Sequence, residues 1–507
     1  MPDPARRCGF SLVLQLLCCA AIGLMVSLHA VAQDGLRVGS KRFTESYILA
    51  EVLAQTAAPH LPSPPVVRQG LGNSAIVYEA LRSGSIDVYA EYSGTIGLEI
   101  LKSAQPMSVE AMRAALAPLG LGVAVPLGFN DGYALAMRAA DAERLALKTL
   151  GDLARHPELR LGLSNEFLGR ADGWKGLAAR YGFAQTPIGL DHGLAYDAIA
   201  AKQVDVIDIY TTDAKIGHLG LTVLEDERKY FPRYDALLLY RLDLPARLPQ
   251  AWAALTKLEG RIDERAMIAM NARAELQGVA FDVIARDFLA GGPHQAGAGR
   301  GFAAKLFGTD LGRLTRQHLL LVTVSVGLAI LIAVPLGVAV FPHLRLRALV
   351  LGAAGLLQTV PSLALLAVLI SLIGAIGTLP ALIALTLYAL LPIMRNTVTG
   401  LAEVPTGLRQ AGTALGMTGA QSLRLVLLPL ALPTLIAGVR TATTIAIGTA
   451  TIAAFIGAGG FGERIVTGLA LNDRELLLAG ALPAAALALA SELLFEGIEY
   501  LLRRRRG

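Results

Sequence analysis

Five apolar runs, at 318–341, 348–373, 379–394, 425–447 and 476–502, constrain the second half of this chain more than any motif does. Backbone inside hydrocarbon must satisfy its own N–H and C=O groups, so such runs form helices. A span needs about 20 residues, so the third run must borrow flanking positions. The run at 450–462, ATIAAFIGAGGFG, is apolar but glycine-rich, and reads as a re-entrant segment or a short extra span. The expected count is therefore about five or six spans. Pro361 and Pro380 begin or bend helices, which membrane bundles tolerate. Between the third and fourth runs lies GLAEVPTGLRQAGTALGMTGAQSLRLVLLPLALP, residues 400–433. It carries Glu403, Arg409, Gln410, Thr413 and Arg424, which hydrocarbon excludes. Leu401, Val404, Leu408, Ala411 and Leu415 recur at spacings of three and four, which predicts one apolar face on a helix. Gly416 interrupts, and a second short helical stretch runs from Gln421 toward Pro429. A helix–Gly–helix set between spans predicts a docking element on one side of a membrane.

Residues 33–316 differ in kind, holding most of the acids, bases and tyrosines. The whole chain is 54% hydrophobic and 17% charged, with mean hydropathy +0.53. That is too apolar for a soluble protein and too charged for a purely membrane one, so the chain divides into a soluble half and a membrane half. The net charge of +5 is small for 507 residues, and much of it is Arg503 to Arg506. No basic patch with interleaved aromatics exists, which argues against a nucleic-acid partner. At the N-terminus, Arg6 and Arg7 precede an apolar stretch at 10–28 and the small residues Ala30, Val31 and Ala32. This predicts a signal peptide over 1–32 with Gln33 as the mature start; a retained anchor is the other reading. Cys8, Cys18 and Cys19, the only cysteines, all fall there. The rest of the chain then has no disulfide framework, thiolate metal site or cysteine nucleophile. No cofactor, metal or catalytic residue is expected.

Strand and helix signals alternate through 33–290. Leu36 to Gly39, Val66-Val67, Ile86 to Tyr89, Leu161 to Leu163 and Val204 to Asp208 read as strands, with helices at 44–57, 74–83 and 195–203. Such alternation predicts parallel sheets flanked by helices, and the length predicts two α/β lobes with a ligand site in the cleft between them. Tyrosines gather at the predicted strand ends, in YAEYSGT, NDGY, DIYTTD and FPRY. Taken singly, each is an ordinary half-buried strand residue. Taken together, several rings around one point form a box for a quaternary ammonium group, each contact contributing about 0.5–2 kcal/mol. A zwitterion also needs a basic partner for its carboxylate, and Lys41 or Arg170 is placed to supply it.

VGSKRFTES, LGNSAIVYEALRSGSIDVYAEYSGT, FNDGYALAM and GLAYDAIAAKQVDVIDIYTTDAKI resemble the substrate-binding proteins of osmoprotectant ABC importers, which take up glycine betaine, choline and related compounds. The resemblance implies a cage of Tyr92, Tyr133, Tyr210 and Tyr234, with Asp131 beside the cationic end. It assigns Thr95, Lys41 and Arg170 to the anionic end. Gly132, where relatives often carry a larger polar residue, is a departure that alters the shape expected of the pocket. Choline would leave Lys41 and Arg170 unpaired, so a betaine ranks first, ahead of choline, carnitine or another small amino-acid-like compound.

A linker with an elbow helix is expected over 291–314, a permease bundle over 315–502 and a basic tail over 503–507. With the soluble half outside, five spans place His343, Arg345, Arg347, Arg395, Arg409, Arg424 and the terminal arginines inside, as the positive-inside rule requires. Residues 400–424 are then cytoplasmic, and the protein sits in the plasma (inner) membrane. That loop is similar to the coupling motif of ABC importer permeases at Gln410, Ala411, Gly412, Gly416 and the stretch ending in Leu428-Pro429, with Arg409 beside it. Gln410 stands where the family has Glu. The chain has no G-x-x-x-x-G-K-[ST] phosphate cradle. The resemblance therefore implies a separate cytoplasmic ATPase, and one permease half per chain implies a homodimer. A ligand-gated channel, which would need a pore filter and no coupling loop, is the remaining alternative. The absence of G-x-S-x-G and H-E-x-x-H argues against a hydrolase.

Overall fold

The computed structural model describes residues 35–103, 105–292, 301–471 and 473–504. The expected signal peptide at 1–32, residues 293–300 of the linker and the last three residues of the tail lie outside them.

Two five-stranded sheets organise the soluble half. The first is built from β1 (Arg37–Gly39), β2 (Val66–Arg68), β3 (Val88–Tyr92), β4 (Leu121–Asn130) and β10 (Asp235–Arg241), in the order β2-β1-β3-β10-β4. The second contains β5 (Tyr133–Arg138), β6 (Leu161–Ser164), β7 (Ile188–Leu190), β8 (Val206–Tyr210) and β9 (Leu221–Leu224), in the order β7-β6-β8-β5-β9. The expectation of parallel sheets needs correction. β1–β2, β1–β3, β6–β7 and β6–β8 are parallel, but β10 pairs antiparallel with β3 and β4, and β5 with β8 and β9. The chain crosses from lobe to lobe at 130–133 and returns at 234–235, and each crossing strand enters its sheet against the direction of its neighbours.

The crossing is knitted together. Asp131 N donates to the Tyr234 carbonyl at 3.0 Å, and Tyr234 N donates to Asn130 Oδ1 at 2.7 Å. The principal helix of the first lobe, α1 (Thr44–Ala57), buries Tyr47, Ile48, Leu49, Val52 and Leu53. Each such side chain contributes roughly 1.5–3 kcal/mol when fully buried, which fixes the N-terminus of α1 at the cleft. In the second lobe, α2 (His192–Ala200) packs beside β6 and β8. Behind the cleft, α3 (Glu264–Glu275) returns to pack on α1.

In the membrane half, α4 (Leu311–Val340), α7 (Thr378–Glu403), the continuous stretch ending in α9 (Leu428–Ala450) and α11 (Arg474–Arg504) are long and apolar enough to cross a membrane. A bent pair, α5 (Leu344–Thr359) and α6 (Ser362–Ile373), makes a fifth candidate, broken by 100° at Pro361. The run at 450–462 adds no span. It forms a 3-10 turn, Ile452–Ile456, and then chain reversals at Gly457, Gly459 and Gly460, all at positive φ. The expected elbow helix at 303–315 is also smaller, Phe302–Leu306, since α4 already begins at Leu311. It is clamped to the bundle instead. Arg464, on α10 (Gly462–Leu471), is buried and pairs with Asp310 at 2.6 Å while donating to the Leu306 carbonyl at 2.9 Å. Lys305 pairs with Asp473 at 2.7 Å.

The segment expected to dock a partner is a helix–Gly–helix, with one correction. Pro405 ends α7, so Leu401 and Val404 belong to the bundle and are buried there. The following helix, α8 (Thr406–Ala414), keeps Leu408 at 45% exposure, and the adjacent Leu415 stands at 77%. The predicted single apolar face is thus divided between the bundle interior and solvent.

Candidate functional site: an aromatic cleft between two lobes

A narrow cavity of about 20 Å³ lies where the lobes meet. Lys41, Phe43, Tyr92 and Thr95 line it from the first lobe. Glu166, Arg170 and Tyr210 come from the second, and Asp131, Tyr133 and Tyr234 from the crossing strands. All eight residues expected at the site from sequence are brought together. That is room for about one water, so the lobes are closed on one another.

The rings form a connected set. The Tyr133 centroid lies 5.1 Å from Tyr210 and 5.7 Å from Tyr234, and Phe43 lies 5.3 Å from Tyr210 and 6.3 Å from Tyr92. Carboxylates hold several phenols in place. Tyr92 donates to Glu45 at 2.5 Å and Tyr234 to Asp172 at 2.6 Å. With these two hydroxyls tied down, the orientations of Tyr92 and Tyr234 are fixed. Behind Tyr210 stands His192, its ring 4.4 Å away, hydrogen-bonded to Asp213 at 3.0 Å. Burial opposes a charge on this imidazole, but the Asp213 carboxylate outweighs it and raises the pKa to about 9.

Both basic residues already have partners. Lys41 Nζ meets Glu91 at 2.6 Å and lies 4.4 Å from the Tyr92 centroid. Arg170 grips Asp172 in a two-pronged pair at 2.7 and 2.6 Å, donates to Thr95 Oγ1 at 3.3 Å and faces Tyr133 at 5.1 Å. The Arg170–Thr95 bond crosses the cleft, as does Thr212 Oγ1 to Glu45 at 2.6 Å. These are the bonds of a closed conformation.

A shared proton sits under the cage. Thr212 Oγ1 is 2.6 Å from Glu45 and 2.8 Å from Asp131. A hydroxyl has one hydrogen to give, so the second contact requires a protonated carboxyl as donor. The electrostatics agree: burial pushes Glu45 up to about 7 and, with Glu45 beside it, raises Asp131 well above the usual carboxylate range. A cation in the cage favours the ionised carboxylates, so its binding releases a proton. Choline affinity is therefore expected to rise with pH up to about 7 and level off above, falling by up to tenfold per unit below. Titration of the site with choline between pH 5.5 and 8.5 measures this. A flat profile, or one unchanged in Glu45→Gln, would remove the shared proton from the mechanism.

Sequence reasoning missed Phe43, Glu166, Glu45 and His192. Phe43 follows Lys41 by two in extended chain, which places both on one side. Glu166 precedes Arg170 by four, one helical turn, and lies 3.8 Å from it. Glu45 and His192 carried no local signal, because their partners are distant in sequence. In the segment between α7 and α9, Gln410 and Ala411 are exposed, Gly412 is buried and Gly416 takes a left-handed turn at φ +74°. Arg409 turns back, bonding the Leu401 carbonyl and facing Phe341 at 5.3 Å.

A two-lobed cleft with an aromatic cage, joined on one chain to a helical membrane bundle, defines a binding receptor fused to a membrane component. Sequence comparison agrees. Residues 34–291 match the substrate-binding domain of ABC-type glycine betaine transport systems, and 325–507 match the inner membrane component of binding-protein-dependent transport systems. The chain belongs to the first family and carries the second as a fused permease domain. An ergothioneine transport permease/ergothioneine binding protein of Helicobacter pylori is 32% identical over 291 residues, covering 55% of this chain. The chain spans about half of that relative's length, 52%. An osmoprotectant import permease protein of Salmonella typhimurium is 50% identical over 38% of this chain and 91% of its own. A glycine-betaine-binding protein of Pseudomonas aeruginosa is 32% identical over 55% of this chain and 94% of its own.

Proposed function

We propose that this chain is the receptor and membrane-spanning component of an ATP-driven importer for a small quaternary-ammonium compound. Glycine betaine ranks first. The observation that carries the reading is the convergence of Phe43, Tyr92, Tyr133, Tyr210 and Tyr234 on one small cavity with Asp131 and Glu166 at its wall. Aromatic rings and carboxylates attract a trimethylammonium group, and a ligand carboxylate would meet Arg170 and Thr95 in competition with the Asp172 pair that Arg170 already makes. Choline, carnitine and ergothioneine, the ligand in one relative's name, share the cationic group and are the competing substrates. The receptor faces the periplasm or cell exterior, and the docking segment faces the cytoplasm.

Energy enters from a separate ATPase that docks on α8 and the turn after it, through Gln410, Ala411, Gly416 and the exposed Leu408 and Leu415. Arg409, Gly412, Leu428 and Pro429 shape that segment from behind. Two permease halves, one from each of two identical chains, form the pathway, with a receptor tethered to each. The test is uptake of labelled glycine betaine into vesicles carrying this chain, with and without ATP and the partner ATPase. Accumulation is expected only with both present; ATP-independent flux would instead indicate a channel.

A further inference from the structure

The corner between β1 and α1, residues Ser40 to Phe43, faces two ways. Lys41 and Phe43 line the cleft. Arg42, between them, leaves on the other side, and its guanidinium carbon lies 4.7 Å from the centroid of Phe455 in the membrane half. This follows from extended backbone, in which successive side chains alternate; Phe43 itself has φ −156° and ψ 160°.

The corner is not a loose loop. Ser40 accepts from Leu71 N at 3.1 Å through its carbonyl and from Gly70 N at 2.9 Å through Oγ. Arg42 N donates to the Gly72 carbonyl at 3.1 Å, and Lys41 N to Ser46 Oγ at 2.8 Å. The 68–72 loop thereby moves with the corner, and it touches the same permease segment. Arg68 Nη1 reaches the Gly457 carbonyl at 3.4 Å. Leu71 fills the space over Gly457, where a Cβ would stand 2.4 Å from its methyl carbon. On the permease side, the neighbours of Phe455 are anchored: Ala453 and Ile456 are buried in the bundle core with Tyr388 and Leu366.

We infer that the Ser40–Phe43 corner transmits the state of the cleft to the permease, with Arg42 on Phe455 as its contact. A ligand that repositions Lys41 or Phe43 necessarily moves Arg42, since the three residues are consecutive and braced by the same hydrogen bonds. The permease loop at 452–457 receives that movement and passes it to the bundle core. Arg42 is thus a coupling residue that touches no ligand. This inference rests on the import reading above.

Two measurements on the full chain test it. In vesicles with the partner ATPase, Arg42→Ala and Phe455→Leu are each expected to lower betaine-stimulated ATP hydrolysis by about tenfold, the range of one cation–π contact, while the affinity for betaine stays within about twofold. The double variant should be no worse than either single one, and Arg42→Lys should retain most of the stimulation. Stimulation that survives Arg42→Ala overturns the inference, as does an affinity loss that matches the loss of stimulation. Absence of any stimulation in the unmodified protein would sink the import reading instead. The second measurement needs no ATPase. In an Arg42→Cys/Phe455→Cys chain whose native cysteines have been replaced, the yield of a short bifunctional thiol cross-link should change on adding betaine. An unchanged yield overturns the inference whatever the transport result.

Discussion

Replacing Lys41 with methionine is expected to destabilise the receptor half by about 3–5 kcal/mol, the cost of leaving one member of a buried ion pair without its partner. The side chains of Lys41 and Glu91 are 7% and 0% exposed and meet at 2.6 Å. Glu91 also accepts from Tyr92 N at 3.0 Å, so an uncompensated charge there disturbs the strand that carries a cage ring. The loss arises from stranding Glu91, not from losing attraction, so Lys41→Met/Glu91→Leu should recover most of it. The full chain reports this directly. Its only tryptophans, Trp174 and Trp252, both lie in the receptor half, so intrinsic fluorescence follows unfolding of that half alone. A loss below about 1 kcal/mol in the single variant would place the pair among weak surface-like bridges.

Tyr133→Ala and Tyr210→Ala are each expected to weaken betaine binding by up to about 30-fold, the upper range of a desolvated cation–π contact. Tyr133 has the wider effect, since it touches Tyr210, Tyr234, Phe167 and Arg170. Tyr210→Phe keeps the ring and gives up only a 3.4 Å hydroxyl contact, so it should bind nearly as well as the unmodified protein. The alanine pair should fall short of additivity, because each ring positions the other. Calorimetric titration with glycine betaine, choline, carnitine and ergothioneine separates ring loss from ligand preference. Unchanged betaine affinity in both alanine variants would refute the cage.

Strand-end position drew the tyrosines together, but alone it left each as an ordinary half-buried residue; the family resemblance singled out Tyr92, Tyr133, Tyr210 and Tyr234, and the structure places all four on one cavity. Phe43 and Glu166 were within reach of the same spacing rules. The proton shared by Glu45 and Asp131 was not, because it depends on Thr212, 81 residues from Asp131 in sequence. Apolar runs located the membrane helices well, since length and composition decide them. They left 450–462 open between a re-entrant segment and a short span, and glycines at positive φ turn the chain back there. The sheets came out mixed rather than parallel because strand direction is set by which lobe a strand is entering, and local pattern carries no trace of that.

The cage belongs to no single rigid body. Phe43 and Tyr92 ride on one lobe, Tyr210 on the other, and Tyr133 and Tyr234 on the strands that join them. Parting the lobes therefore dismantles the box itself as well as opening a path to it. Residence time, more than the rate of capture, should then depend on contacts that close the cleft without touching the ligand. Weakening Glu45 to Thr212 would shorten the bound lifetime while every ring kept its place on its own lobe.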